Sequence, residues 1–552
     1  MPRKRWAALQ ARSMQDQSSL QSNRGRRTIR FRVAAVLLAI LPFLLLEGSL
    51  RLLAPDAVLS AIANDPIVQL EHSRPLFELQ NSPQDDQGQL ESTDPTPSNS
   101  EKRWVIPESR RQFFERDSFS SIKHPGTRRI FVLGGSTTQG RPYSIETSFS
   151  AWLKLHLEAA APDVSMESEV SINSNAQPKT TFEVVNCGGV SYASYRVAKI
   201  VDEVLEHQPD GIVIYTGHNE FLEDRQYAQV RELGPWRRRV SQVATSLHTV
   251  NWLRHQFASD EQRSTQSLSF QGLPREVDTR LDHPGGLEKY VRDSFWKSSV
   301  EQQFVATFSK MVHSIKQAGV PLVVCVPRSD LVNTPPFKIA MKESLDPTQQ
   351  QSFESAWAIV QNQQADFNSR LDACRDCLRI DPHHAGAHYV LGRLHYDHGN
   401  ANLAREHLVA ALDHDVCPLR ATSPIVQAVI RESSRNQIDV IDPLLFFDRS
   451  NRTGMAIPDG IADPTFFVDH VHPSISGHQR IAAAIAEQLL SLEWFEPVSD
   501  RESRFAELAD RHLASLGPEY YARGQQRLKG LRQWASGRTA VPLLPTKEQK
   551  NH

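Results

Sequence analysis

The chain has 552 residues, 39 % hydrophobic and 23 % charged, with a formal net charge of −2. That length is too great for one small core and implies about two to four structural units. The near-neutral balance excludes the basic excess of a nucleic-acid binder, and five cysteines are too few for a disulfide scaffold.

At the amino terminus, Arg24, Arg26, Arg27, Arg30 and Arg32 precede the apolar run Val33 to Leu46. A spanning helix needs about 20 residues. The run reaches that length at Leu53 if Glu47 and Arg51 lie near the far interface and snorkel outward. The pattern predicts a basic cytoplasmic N-terminus over residues 1–32 and a single-pass transmembrane signal anchor over 33–53. A cleaved signal peptide is the weaker reading, because no convincing small-x-small site stands just after Leu46. A buried soluble helix is weaker still, given the flanking arginines. By the positive-inside rule, everything after about residue 54 is then membrane-attached on the extracytoplasmic (periplasmic) side.

Residues 54–125 read as a linker and peripheral segment. The stretch 81–101 is rich in Ser, Pro, Gln and Asp and can bury little apolar surface. A second polar stretch, Ser168 to Thr181, predicts a surface loop. Short apolar β-runs follow at Arg129–Leu133, Phe182–Cys187, Gly211–Thr216, Pro321–Val326 and Ile438–Ile441. They alternate with helical patterns at Ser148–Ala159, Tyr195–Glu206, Gln302–Gln317 and Ser476–Leu490. Apolar strands between helices predict an α/β fold, a three-layer α/β/α sandwich on a mostly parallel five-stranded sheet. One domain is expected in two parts, 126–349 and 421–496.

Between them, 350–420 carries apolar and small residues at helix-hairpin spacing: Leu391-Gly392, Tyr396, Gly399, Ala404, Leu408, Ala411 and Pro418. This all-α insert resembles the tetratricopeptide repeat (TPR), with one good and one degenerate copy, too few for a free-standing solenoid. Residues 497–552 read as a charged helical tail around Tyr520 and Trp534.

Ligands of parallel sheets bind beyond the carboxyl ends of the strands, so the segments that follow the strands matter most. The first is Gly134-Gly135-Ser136-Thr137-Thr138. It sets a serine at a helix start, where amide hydrogens favour an incoming negative charge. A plain strand-to-helix turn with an N-cap serine is the bland alternative. The second is Asn186-Cys187-Gly188-Gly189-Val190-Ser191-Tyr192. The third is Gly217-His218-Asn219-Glu220, whose asparagine amide can donate to a developing oxyanion. The fourth is Asp469-His470-Val471-His472-Pro473. There a carboxylate three residues before an imidazole can orient it as a general base. Four such segments after strands of one sheet converge on one edge.

In these four blocks, taken in order, the chain resembles the SGNH (GDSL-like) hydrolase family over roughly residues 126–330 and 425–492. Membrane-anchored bacterial proteins that join this domain to TPR-like repeats look similar overall. The resemblance implies Ser136 as nucleophile, His472 as base and Asp469 as acid. It implies an oxyanion hole from the Ser136 amide, the Asn219 side chain and an amide of the second block. That block departs from the family pattern: its donor glycine falls on Ser191 while glycines stand at 188 and 189, so Ser191 and Gly189 both remain candidates. Glu220 stands where the family often has Asp.

The implied activity is hydrolysis of acyl or acetyl esters, of envelope glycans, lipids or small esters. The alternatives are an extracytoplasmic O-acyltransferase with the same triad, or a TPR-like binding scaffold with a vestigial one. No cofactor is expected. No metal is expected either. Cys374-x-x-Cys377 lacks a second pair, and His383, His384, His388, His395, His398, His407 and His414 read mainly as solvated helix faces. His218 and His470 read as supports of the catalytic blocks. Pro327 to Asp330 and Pro335 to Lys338 follow a strand end, as pocket lining or as rigid turns. The expected partners are the ester substrate, the cytoplasmic membrane and a protein partner at the insert, with no nucleic acid.

Overall fold

The structure is a computed structural model that describes residues 75–81, 102–162, 180–223, 279–282, 285–447 and 460–536, with Leu41, Ser49 and Val277 as isolated positions. Two compact units divide the chain. One comprises Met1–Gln69 and Ala228–Gln271; the other, Leu70–Tyr227 and Gly272–His552, holds all the elements below. No helix among the described residues is long and apolar enough to cross a membrane. The expected anchor at 33–53 lies outside the described residues, apart from Leu41 and Ser49. So does most of the polar stretch expected as a surface loop at 168–181.

The described part of the expected linker is more ordered than its composition suggests. Strands β1 (Glu78–Asn81), β2 (Lys102–Val105) and β3 (Ser118–Ser120) form a small antiparallel sheet. Just ahead of it, Leu76 and Phe77 are buried, and their amides donate to the Glu203 carboxylate at 2.7 and 2.9 Å. Phe77 packs edge-on against Phe119, with ring centroids 5.0 Å apart. The polar stretch at 81–101 lies outside the described residues apart from Asn81.

The main sheet follows. In chain order its region holds β4 (Thr127–Gly134), α1 (Ser136–Gln139), α2 (Phe149–Ala160), β5 (Thr181–Gly188), α3 (Ser194–Val204), β6 (Gly211–Tyr215), α4 (Ser294–Gln317) and β7 (Leu322–Cys325). Helices α5 (Pro347–Gln361), α6 (Phe367–Ile380), α7 (Ala385–Asp397) and α8 (Ala401–Asp413) come next. Then follow α9 (Ser423–Arg435), β8 (Val440–Ile441), α10 (Ile475–Leu490), α11 (Arg501–Ser515) and α12 (Pro518–Ser536). The strand order is β5-β4-β6-β7-β8 and every neighbouring pair is parallel. The order reverses between β4 and β6, so the crevice at their carboxyl ends is the favoured place for a site.

Side-chain alternation makes the three layers. Phe131, Leu133, Ile212 and Ile214 face one way, into a core shared with α3, α4 and α9. Ile130, Val132, Val213 and Tyr215 face the other way, against α2 and α10. Strands buried on both faces read as continuous apolar runs, which is why they are visible in sequence.

Helices α5 to α8 sit between β7 and β8 as an all-α insert with its own core, including Phe353, Leu371, Tyr389, Leu394 and Leu408. Asp346 starts α5 with a capping box: its carboxylate accepts from the Gln349 amide, and the Gln349 side chain accepts from the Asp346 amide. Helices α7 and α8 cross closely at Gly392, where a Cβ would lie 2.9 Å from Leu408.

Candidate active site

Ser136 is the first residue of α1, directly after β4. Its turn is fixed by near-contact of backbones. A Cβ at Gly134 would overlap the Tyr215 carbonyl, and one at Gly135 would lie 2.7 Å from Asn219 Nδ2. These two glycines therefore let the ends of β4 and β6 close up, which brings the Asn219 amide beside Ser136. As the opening residue of a helix, Ser136 has no helical carbonyl for its own amide to bond.

The fourth block supplies the partners. His472 Nε2 lies 2.8 Å from Ser136 Oγ, and His472 Nδ1 lies 2.7 Å from Asp469 Oδ2. The other carboxylate oxygen, Asp469 Oδ1, accepts the amides of Val471 and His472 at 3.0 and 2.8 Å. The Asp469 side chain is 3 % exposed. Burial by itself pushes its pKa up, but the imidazoles of His472 and His470 and the hydrogen bonds from His472 outweigh that. The carboxyl is held well below the usual carboxylate range. With Nδ1–H directed to the carboxylate, Nε2 presents a lone pair to the serine hydroxyl. A hydroxyl thus joins one hydrogen-bonded line with an imidazole 336 residues away in the chain and the carboxylate three residues before that imidazole.

The second block separates the two donor candidates. The Gly189 amide is engaged in a backbone hydrogen bond to the Gly134 carbonyl, at 3.0 Å. The Ser191 amide makes no hydrogen bond among the described residues, while its neighbours Val190 and Tyr192 donate to Phe113 and Gly189. Ser191 has φ +64°, in the left-handed region that favours glycine. The serine keeps the backbone shape a glycine would adopt, so the exchange leaves an amide at the same place. Asn219 Nδ2 donates to the Tyr192 carbonyl at 3.0 Å, which steers the amide and leaves its second hydrogen unused. A shallow recess is lined by Ser136, Thr137, Tyr192, Tyr215, Thr216, His218 and Asn219, among others.

Supports that sequence reading missed hold these blocks. Buried Glu220 accepts both the amide and the hydroxyl of Ser194, tying the third block to α3. Asn186 donates to the Thr138 carbonyl and the Ser150 hydroxyl, and its amide donates to Asp117. Burial lifts the Asp117 carboxyl to about 6 against those bonds. A polar residue inside an apolar strand run, as Asn186 is, was the available signal.

His218 accepts the Ala421 amide at Nδ1, and burial, with His470 and His472 nearby, lowers its pKa to about 3. His470 is held at about 4, chiefly by burial, and its carbonyl accepts the Asp330 amide. His478 accepts the Phe149 amide and is lowered to about 3 by burial and by His472. Three neutral imidazoles thus surround His472. The segments Pro327–Asp330 and Pro335–Lys338 do not line the recess. Arg328 pairs with Asp442 at 2.6 Å, and the Asp330 amide braces the acid–base turn.

In the insert, His388 and His407 approach at 3.1 Å through their Nδ1 atoms, and His384 caps α7. The expectation of solvated helix faces does not hold for His384 and His395, which are buried. No group of three potential metal ligands occurs among the described residues. Cys374 and Cys377 are buried free thiols, both pushed up to about 12 by burial first of all.

No family model matches the sequence, and no curated protein matches it. Solved structures similar in shape include an acetyl xylan esterase variant from Geobacillus stearothermophilus. It shows 13 % identity and a TM-score of 0.27, with 66 % of this chain and 95 % of that chain covered. An alpha/beta hydrolase enzyme from the metagenome of Lake Arreo shows 12 % identity and a TM-score of 0.26, covering 66 % and 95 %. A GDSL-like lipase from Bacteroides thetaiotaomicron shows 9 % identity and a TM-score of 0.24, covering 66 % and 89 %. These neighbours are esterases and hydrolases of the GDSL-like kind. At such TM-scores they add no weight to the chemistry, which rests on the geometry above.

Proposed function

We propose that this chain is a serine ester hydrolase of the SGNH type. The carrying observation is the unbroken line Asp469–His472–Ser136, at 2.7 and 2.8 Å. Ser136 Oγ attacks the ester carbonyl while His472 Nε2 takes its proton, and Asp469 offsets the charge gained by the ring. The tetrahedral oxyanion is met by the amides of Ser136 and Ser191 and by the Asn219 side chain. The bond between the acyl carbon and the alcohol oxygen breaks as His472 gives its proton to that leaving oxygen, which leaves the acyl group on Ser136 Oγ. Water, deprotonated by the same imidazole, then releases the acid and restores Ser136.

The basic segment before the apolar run favours attachment to the cytoplasmic membrane through residues 33–53, with the catalytic unit on the periplasmic side. On this reading the substrate is an acyl or acetyl ester of the envelope, and the insert is a TPR-like surface for a protein partner.

Fluorophosphonate labelling of the purified chain, with turnover of a short p-nitrophenyl ester, tests the reading. Labelling and turnover are expected in the native chain. In a folded Ser136→Ala variant labelling is lost and turnover falls by on the order of 10⁴ or more. Labelling that persists in that variant places the nucleophile elsewhere.

A further inference from the structure

The carboxy-terminal helix α12 runs between the two halves of the triad. At one end it grips the segment that leaves the nucleophile helix. The Tyr520 hydroxyl bonds to Thr147 Oγ1 at 2.8 Å, Gln525 donates to the Tyr143 hydroxyl, and Arg527 Nη1 donates to the Tyr143 carbonyl at 2.6 Å. At the other end, Arg532 donates through Nε and Nη2 to the carbonyl of Val468, the residue before Asp469. Gly524 is needed for this fit, because a Cβ there would overlap the Tyr143 ring.

The helix brings positive charge with it. Arg141 follows α1 directly, and its amide donates to the Ser136 carbonyl at 3.1 Å. Its side chain bonds only Gln139, through Nε at 3.2 Å, among the described residues. It is half-buried and lies within electrostatic range of Arg527. Glu115 faces this pair and stands 3.8 Å from Arg527. Arg532 has no carboxylate partner among the described residues. Two guanidinium groups that share one carboxylate, as Arg141 and Arg527 share Glu115, repel one another and favour a further anion. Their planar forks suit carboxylate, sulfate and phosphate oxygens.

We propose that Arg141 and Arg527 form an anion-recognising rim beside the nucleophile helix, so that the substrate is an ester whose carrier bears an oxyanion close to the ester group. This rests on the esterase reading and narrows it: a neutral acylated carrier is the poorer substrate. Arg527 is 42 % exposed, so each contact contributes modestly, about fivefold in kcat/KM at low salt, and is screened as salt rises.

The test compares O-acetylated glucose with O-acetylated glucuronate and O-acetylated glucose 6-phosphate on the full chain, at low and high salt. The two charged esters separate a carboxylate from a phosphate preference. At least one charged ester is expected to lead the neutral one about fivefold to tenfold at low salt, with the lead shrinking at high salt. The ratio falls towards unity in the double variant Arg141→Gln/Arg527→Gln and recovers in part with Arg527→Lys. Equal kcat/KM for all three esters, or a preference indifferent to the double variant, overturns the rim. Calorimetric titration with glucuronate and glucose gives a readout without turnover. Binding of glucuronate alone, lost in the double variant, upholds the rim even if no ester is cleaved, in which case the esterase reading fails by itself. Absence of such binding together with absence of turnover overturns both.

Discussion

Ser136 stands on a turn packed to contact distance against the β6 backbone and the Asn219 amide, whereas His472 stands on a turn held by separate hydrogen bonds, two of them from far along the chain. On the nucleophile side, Gly134 and Gly135 let β4, β6 and the Asn219 amide close to contact distance. On the acid–base side, Asp469 folds its own turn, the Val468 amide donates to the His472 carbonyl, and Asp330 and Arg532 brace it from outside. Backbone contact tolerates no added atom. A side-chain brace is a sum of modest bonds that can be removed one at a time.

That contrast sets the expected order of damage. The largest effect after loss of the nucleophile falls on the acid–base turn. Asp469→Asn removes the charge that accompanies the imidazolium and frees the ring to take the wrong tautomer. Turnover of a short ester is expected to drop by on the order of 10³ to 10⁴, with KM changed far less. A drop of under tenfold in a folded variant shows that His472 does not depend on Asp469. Next comes Asn219→Ala, which deletes one oxyanion donor. A loss of about a hundredfold in kcat is expected on the same substrate. An unchanged kcat with a raised KM moves Asn219 from stabilising the transition state to binding the substrate.

How much of this was visible in sequence follows the same division. The nucleophile side is local: β4, the paired glycines and the helix start are contiguous, so the block and its chemistry could be read together. The five parallel strands were legible because burial on both faces makes them continuous apolar runs. The Asp469 to His472 pairing was legible because it spans a single turn. The braces were not. Asp330, Glu220 and Arg532 act across tens of residues or more, and a charged residue on a loop or surface helix has no local signature of its target. The choice between Gly189 and Ser191 also needed coordinates. Both stayed open in sequence, and only hydrogen bonding shows that the Gly189 amide is engaged while the Ser191 amide makes no bond among the described residues.

A third effect concerns stability and falls on the acid–base side and the insert. His218 and His478 are lowered to about 3, and His156, His384, His407, His414 and His470 to about 4, in each case with burial as the largest cause. Each is neutral when folded and ordinary when unfolded. Its contribution is therefore full above about pH 6.5 and is lost as pH falls towards its folded value, because the unfolded chain binds the proton first. Asp117, Asp330 and Asp415, lifted to about 6 mainly by burial, act oppositely, stabilising the fold as pH falls from about 6 to 4. The histidines outnumber them, so Tm should decline from pH 7 to pH 5. Thermal melts across that range that show Tm rising would mean that the three carboxylates dominate.

The smallest effect sharpens the nucleophile side. Ser191 holds φ +64° at a cost that a glycine would not incur, and nothing in the backbone bonding depends on its side chain. Ser191→Gly relieves that strain but gives the unfolded chain more freedom, so the two effects partly cancel. A net gain of about 0.5 kcal/mol or less is expected, with kcat unchanged within about twofold, because the amide stays where it was. Ser191→Pro removes that amide and should lower kcat by about a hundredfold if the amide meets the oxyanion, although proline also resists the left-handed shape. Melting curves separate the two effects: a proline variant that melts near the native temperature and yet loses activity isolates the donor. A glycine variant that loses activity as well would show that the serine hydroxyl, not the amide, is what the second block contributes.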